Sequence, residues 1–353
     1  MKEGNKMKNF IKRNKIKITI FIMILILALC CIPPIDYNSK NKLEIETPYG
    51  DNEAYHPKVL NFKEPWNGYK YWMSYTPYPT GDDSKENPCI AVSNDLVNWK
   101  SPTEKNEPLD VPYKNVDKKI YNSDSHIVYN EDLDRLECYW RMVDDEKNQA
   151  LIYRRYTTDG INWSKKEISV MSDDRTKLDY VSPAILYDNG IYRMWFENKN
   201  NTFCYCESKD ALKWSEPKEL KLNYGKEKVH LWHLDIIKNN GKYEMISVAY
   251  TSWKHRNEMC LYYSSSTDGF NWSENKKILS PTSGTKHWDN KGIYRSTFIY
   301  ENGKYCVFYG GTSMDYHHGV GLVYGEDILK LKPNSTNYNN EKQNKKLVEE
   351  LKQ

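Results

Sequence analysis

The stretch TTDGINWS, Thr157–Ser164, recurs as SNDLVNWK at Ser93–Lys100, SKDALKWS at Ser208–Ser215 and STDGFNWS at Ser266–Ser273, with a worn fifth copy, YGEDILK, beginning at Tyr324. In each copy the Asp side chain accepts hydrogen bonds from backbone N–H groups of its own turn, and Gly, where present, takes the left-handed corner. The Trp four residues after the Asp folds back as an apolar plug beneath the turn. The aspartates stand at 95, 159, 210, 268 and 327, in steps of 64, 51, 58 and 59 residues. A regular step of that size marks a repeat architecture.

Between the turns lie strand-like runs. Each repeat opens with an apolar segment: HPKVLNF at His56, SDSHIVYN at Ser123, SPAILYDNG at Ser182, LWHLDIIKNNG at Leu231 and YRSTFIYENG at Tyr294. A second run follows, usually after an Asn-Gly or Asp-Asn-Gly corner, which is a hairpin signal. A third run leads into the Asp/Trp turn, and the segment after each Trp supplies an outer fourth strand. No window has a helical period before the tail. The reading is all-β: a five-bladed β-propeller over residues 53–329, with the first strand of each module lining a central channel.

The totals agree. The chain has 353 residues, 51 basic and 48 acidic, for a net charge of +3. The charge is mixed rather than gathered into a stripe, which argues against a nucleic-acid partner. Tyr (29) and Trp (11) are abundant, suiting β-structure and sugar stacking alike. None of the eight cysteines falls in a paired CxxC zinc pattern.

Residues 1–34 read as a cytoplasmic basic stub and membrane anchor. Lys8, Lys12, Arg13, Lys15 and Lys17 precede the apolar run Ile18–Pro33, an order that keeps the N-terminus inside. The run is about 15 residues long, short for a spanning helix and long for a signal core. An uncleaved single anchor is preferred, with a cleaved or lipid-anchored form as the alternative. Residues 35–52 read as a polar linker and 330–353 as a loose polar tail in which KKLVEELKQ is a short helix. The expected location is the cell membrane, with the propeller outside the cell as a monomer.

Strand-turn modules carrying S-x-D-G-x-N-W turns resemble the five-bladed propeller glycosidases, the superfamily of arabinanases, β-xylosidases and levan or sucrose hydrolases. The resemblance implies a carbohydrate substrate and acids at three blade openings: an Asp-Pro base, a second Asp that tunes the acid, and a Glu-Gly-Pro acid. Here the first opening is His56-Pro57, with Glu53 the nearest carboxylate. The second keeps its acid as Asp124. The third reads Val181-Ser182-Pro183, with Asp179 two residues before Val181. Some relatives hold channel calcium through a late His. The run Asp315-Tyr316-His317-His318 is imidazole-rich, whereas calcium prefers oxygen, so no metal or other cofactor is assigned.

Glycoside hydrolysis needs two carboxyl groups about 5–5.5 Å apart for retention or roughly 6.5–9.5 Å for inversion. The catalytic candidates are therefore Asp124, Asp235, Glu53 and Asp179. Asp124 shares a strand face with His126, and Asp235 with His233. The substrate-binding candidates are His56, Glu86, His126, Glu197, Trp232, His233, Tyr294 and Arg295. Arg295 would hold either an anionic sugar or a catalytic carboxylate. Trp66 and Trp72 are further stacking platforms, while Asp82 and Asp83 read as solvated. The expected function is a glycoside hydrolase acting on a polysaccharide or cell-envelope glycan. The alternative is a non-catalytic propeller that binds glycan or a protein partner. A sialidase-like enzyme is a third reading, for which the sequence offers no arginine cluster.

Overall fold

A computed structural model of the chain describes residues 41–112, 119–199, 201–284, 287–333 and 341–352. The expected anchor and the start of the expected linker lie outside these residues. Among the described residues no helix is long and apolar enough to cross a membrane.

The alternating runs form five antiparallel meanders. Blade 1 contains β1 (Ala54–Trp66), β2 (Tyr69–Pro77) and β3 (Cys89–Ser93). Blade 2 contains β4 (Ile120–Asn130), β5 (Arg135–Asp144), β6 (Gln149–Thr157) and β7 (Glu167–Ser172). Blade 3 contains β8 (Val181–Asp188), β9 (Ile191–Asn198), β10 (Thr202–Ser208) and β11 (Lys218–Leu220). Blade 4 contains β12 (His230–Asn239), β13 (Lys242–Tyr250), β14 (Cys260–Ser266) and β15 (Lys276–Leu279). Blade 5 contains β16 (Gly292–Glu301), β17 (Lys304–Thr312), β18 (His318–Gly325) and β19 (Lys332–Pro333). The first strands pack on one another in a closed circuit, β1 on β4, β4 on β8, β8 on β12, β12 on β16 and β16 on β1. This is the five-bladed propeller that the repeat spacing predicts. Blade 1 departs in one respect: its outer strand shrinks to a single bridge between Val92 and Lys100.

Every first strand carries a bulge near its start, between Tyr55 and Lys58, Ser123 and His126, Val181 and Ala184, Leu231 and His233, and Tyr294 and Ser296. An extra residue unpaired in the ladder re-aims the chain at that point. His56, Asp124 and Ser182 sit there with φ of 49°, 51° and 51°, a left-handed conformation that non-glycine residues hold only when the surroundings enforce it.

The Asp/Trp turns form as the motif dictates. Asp159 Oδ1 accepts from the N–H groups of Ile161 (2.9 Å) and Asn162 (2.7 Å), and Asp95, Asp210 and Asp268 repeat the pattern. The turns also join blades. Trp195 of β9 donates to the Gly269 carbonyl of the blade 4 turn at 2.9 Å, and Trp99 packs edge-on against Phe308 of blade 5. Gly160 (φ +74°) lies under Trp72 of blade 1, and a Cβ there would come within 2.1 Å of the ring. Gly160→Ala should therefore cost about 3 kcal/mol, since overpacking adds to a strained φ; chemical denaturation of the full chain reads it.

Three expectations are corrected. Residues 41–47 are not a free linker: Leu43 and Ile45 are buried, Leu43 N–H donates to Val320 O at 2.8 Å and Leu322 N–H to Asn41 O at 2.9 Å. This segment takes the edge of β18 that β19 leaves open, because β19 pairs only with Val323 and Tyr324. The tail is not loose along its whole length. Helix α1 (Glu341–Lys352) buries Leu347 and Leu351 among Leu43, Ile45 and Phe308, and Tyr324 Oη donates to Glu350 at 2.7 Å. Trp66 and Trp72 offer no stacking platform, since both are buried between blades 1 and 2 beside Trp140.

Candidate functional site

The bulged ends of the five first strands open into a cavity of about 740 Å³. Of the expected site residues, His56, Glu86, Asp124, Asp179, Trp232, His233 and Tyr294 line it. Its floor is a buried polar cluster whose charges are set by burial and by one guanidinium.

Asp124 is the centre of that cluster. Arg295 Nη1 donates to its Oδ1 at 3.2 Å and the Ser182 N–H to its Oδ2 at 3.2 Å. His233 Nδ1 stands 3.4 Å from Oδ1, an electrostatic contact rather than a well-formed hydrogen bond. Burial works to raise the carboxyl, but the His233 imidazole and the Arg295 guanidinium outweigh it and hold Asp124 well below the usual carboxylate range. Arg295 also donates to Pro183 O at 3.0 Å and meets His126 Nδ1 at 3.3 Å. It is 1% exposed. Of its two expected roles, the structure gives it that of holding a carboxylate.

Around this anion the imidazoles are neutral. Burial lowers His56 to about 3 and His233 to about 4. His56 Nδ1 lies 2.8 Å from Thr76 Oγ1 and 3.0 Å from Glu86 Oε1. Burial, with Asp124 and Asp83 nearby, pushes the Glu86 carboxyl well up, which favours a proton shared between Glu86 and Nδ1. His56 Nε2 has no partner in the protein. Neither ring nitrogen of His233 has a hydrogen-bond partner either. Buried polar atoms are normally satisfied by protein or by water, so these atoms beside a cavity are open to water or to a ligand's groups.

Asp179 reaches the cavity wall already clamped. Arg141 holds it through contacts of 2.7, 2.8 and 3.1 Å, and Arg175 adds one of 3.1 Å. A carboxylate gripped by two guanidiniums is a support for the wall rather than a proton carrier.

The other candidates lie outside the cavity. Asp235 is below it, paired with Lys58 at 2.8 and 3.0 Å and accepting from Thr297 at 2.7 Å; its expected place at the channel mouth is corrected, because the bulge before His233 turns it inward. Glu53 sits behind His317 and His318, with its oxygens 2.6 Å from His317 Nδ1 and 3.0 Å from the His318 N–H. Burial opposes its ionisation, but the two imidazoles and two backbone N–H groups bring it to about 2. His126 is sealed under Arg295, with Nε2 donating to Ile185 O at 2.9 Å. Glu197 is fully buried opposite Val181 on β9, where burial pushes it up to about 9.

Sequence reasoning missed several lining groups. Tyr55 and Tyr78 stack at 5.8 Å. Asp83, expected in solvent, accepts from Tyr78 Oη at 2.7 Å. Arg141, Arg175, Lys199, Trp253, Arg256 and His318 complete most of the wall. Apart from Tyr55 on β1 and His318 on β18, these come from second strands and loops rather than from the blade openings. His318 alone carried a signal, in the imidazole-rich run that leads into β18.

No family model matches the sequence. The chain is 28% identical over 305 residues to the A type blood N-acetyl-α-D-galactosamine deacetylase of Flavonifractor plautii, a match covering 73% of this chain and 39% of that protein. The chain thus spans about two fifths of the curated relative it matches. Its structure is similar to the crystal structure of an N-acetylgalactosamine deacetylase from F. plautii in complex with blood group B trisaccharide, with a TM-score of 0.69 and 25% identity over 83% of this chain and 92% of that one. It is also similar in fold to an exo-1,5-α-L-arabinanase from a bovine ruminal metagenomic library, with a TM-score of 0.58 and 12% identity over 82% and 95% of the two chains. The propeller therefore has the glycosidase neighbours that its turns resemble, and a deacetylase relative with the same fold.

Proposed function

We propose that this chain is a carbohydrate-active hydrolase that removes the acyl group from an N-acylated amino sugar of a glycan. One observation carries the reading. At the two blade openings where the resemblance implies a base and an acid, the chain has His56 and Val181-Ser182, leaving Asp124 as the carboxylate of the bulged openings, among neutral imidazoles. That set suits amide hydrolysis. Asp124 takes a proton from water as the water oxygen bonds to the acyl carbon. The His56 Nε2–H donates to the carbonyl oxygen as negative charge develops there; a neutral imidazole is able to do this. The C–N bond then breaks, and the proton passes to the departing amine, giving a carboxylic acid and a free amino sugar. The similarity to a deacetylase over 73% of the chain supports the same reading.

A second reading is glycoside hydrolysis, favoured by Glu86 and Asp124. Two carboxyl groups on one cavity with pKa values driven in opposite directions are an acid and a base in waiting. The leader's basic-then-apolar order supports a membrane-anchored protein acting outside the cell. Incubating the full chain with oligosaccharides that end in N-acetylhexosamine separates the two chemistries. Acetate and primary amine should appear in equal amounts with no new reducing ends. New reducing ends without acetate would overturn deacylation in favour of glycosidic cleavage.

A further inference from the structure

The rim of the cavity is electrically lopsided. Its lining contains four cations, Arg141, Arg175, Lys199 and Arg256, and four carboxyl groups, Asp83, Glu86, Asp124 and Asp179, of which burial pushes Glu86 towards its neutral form. Arg141 and Arg175 are spent on Asp179. Lys199 and Arg256 are not, and neither has an ion-pair partner among the described residues. Both come from one side of the mouth. Lys199 follows β9, and Arg256 lies on the loop between β13 and β14. Tyr250 of β13 donates to Asn201 Oδ1 at 2.8 Å, tying the two loops together. The remaining free acid of the lining, Asp83, belongs to blade 1.

The same side carries aromatic surface. Trp253 is 60% exposed and stands edge-on to Trp232 at 5.8 Å. The Arg256 guanidinium lies 4.5 Å from the Trp253 ring centre. A guanidinium held against an aromatic ring keeps its N–H donors available for an oxyanion, which it is able to grip in bidentate fashion. Lys291, over the Tyr316 ring at 3.3 Å, extends the positive arc towards blade 5. An exposed indole with an unpaired guanidinium near its ring, and a free ammonium lining the same cavity, suit a sugar ring bearing a compact negative group.

We propose that the glycan bound here is acidic, with the sugar next to the reacting residue bearing a carboxylate or a sulfate held by Arg256 and Lys199. The inference builds on the reading of this cavity as a glycan site, and it is tested by binding, without turnover. Calorimetry on the full chain would use matched N-acetylhexosamine oligosaccharides whose second sugar is neutral, a uronic acid or sulfated. An anionic ligand should bind about 10- to 30-fold tighter than the neutral one, with the advantage shrinking as salt rises. Whichever anionic arm shows the advantage names the group. In Lys199→Ala/Arg256→Ala the ratio should fall to about twofold, and in Lys199→Glu/Arg256→Glu the order should reverse. Equal binding of neutral and anionic ligands by the natural chain would overturn the proposal, as would an anionic preference that survives both double variants. A chain that prefers acidic glycans yet releases no acetate keeps this inference and loses the deacylation reading.

Discussion

Asp124→Asn should lower turnover by about a thousandfold, within the range for losing a general base, with little change in fold. Asn keeps the shape of the side chain, and its oxygen still accepts from Arg295 Nη1, which lies 3.2 Å from Asp124 Oδ1. What disappears is the negative charge, the one full anion of the cluster that includes His56, His233 and Glu86. The loss should fall on kcat with little effect on KM, because the proton moves only in the transition state. The sign of the pH dependence follows from the depressed carboxyl. The ionised form persists below the ordinary carboxylate range, so activity holds at mildly acid pH and is lost only as pH falls through the lowered value. The charge's contribution to stability follows the same course, present above the unfolded-state pKa and lost on acidification. Steady-state kinetics against pH on both proteins tests this; full activity in the variant would remove Asp124 from the chemistry.

Asp235→Ala should destabilise the propeller by about 4 kcal/mol, the scale for stranding one partner of a buried ion pair. Lys58 and Asp235 are 1% and 2% exposed, and they bridge the first strands of blades 1 and 4. Without the carboxylate, the buried Lys58 ammonium is left without a counter-ion and Thr297 loses its acceptor. The double variant Lys58→Met/Asp235→Leu should recover most of the loss, since well-packed apolar pairs often equal buried ion pairs. Urea denaturation of the three proteins measures both effects. A single variant as stable as the natural chain would mean the channel is wet enough to solvate Lys58.

The fold was legible because the turn motif is local chemistry. Asp159 caps its own turn whatever surrounds it, so the residue spacing counts blades directly. Asp124 was legible for a similar reason: it stands at a blade opening, where a bulge turns the side chain to the cup. Asp235 misled because it lies two residues past its own bulge, and residue spacing does not reveal which way a bulged strand faces. The clamp on Asp179 was out of reach, since Arg141 and Arg175 come from a second strand and a loop with no repeat to align them. The edges of the ring misled as well. Residues 41–47 and α1 are polar in composition, and the few apolar residues that face the core, Leu43, Ile45, Leu347, Val348 and Leu351, do not dominate it.

The joint at β18 sets the order in which the ring is able to assemble. Blades 2, 3 and 4 are contiguous meanders and pair as soon as their own segments exist. Leu43 must wait for Val320, and Leu322 for Asn41, nearly the whole chain apart, so the last hydrogen bonds knit the first residues of the propeller to some of the last. Contacts this remote in sequence form late. Until they do, β18 is a bare strand edge able to recruit a stray segment from another molecule, and a ribosome that stalls before residue 320 releases an unclosed horseshoe.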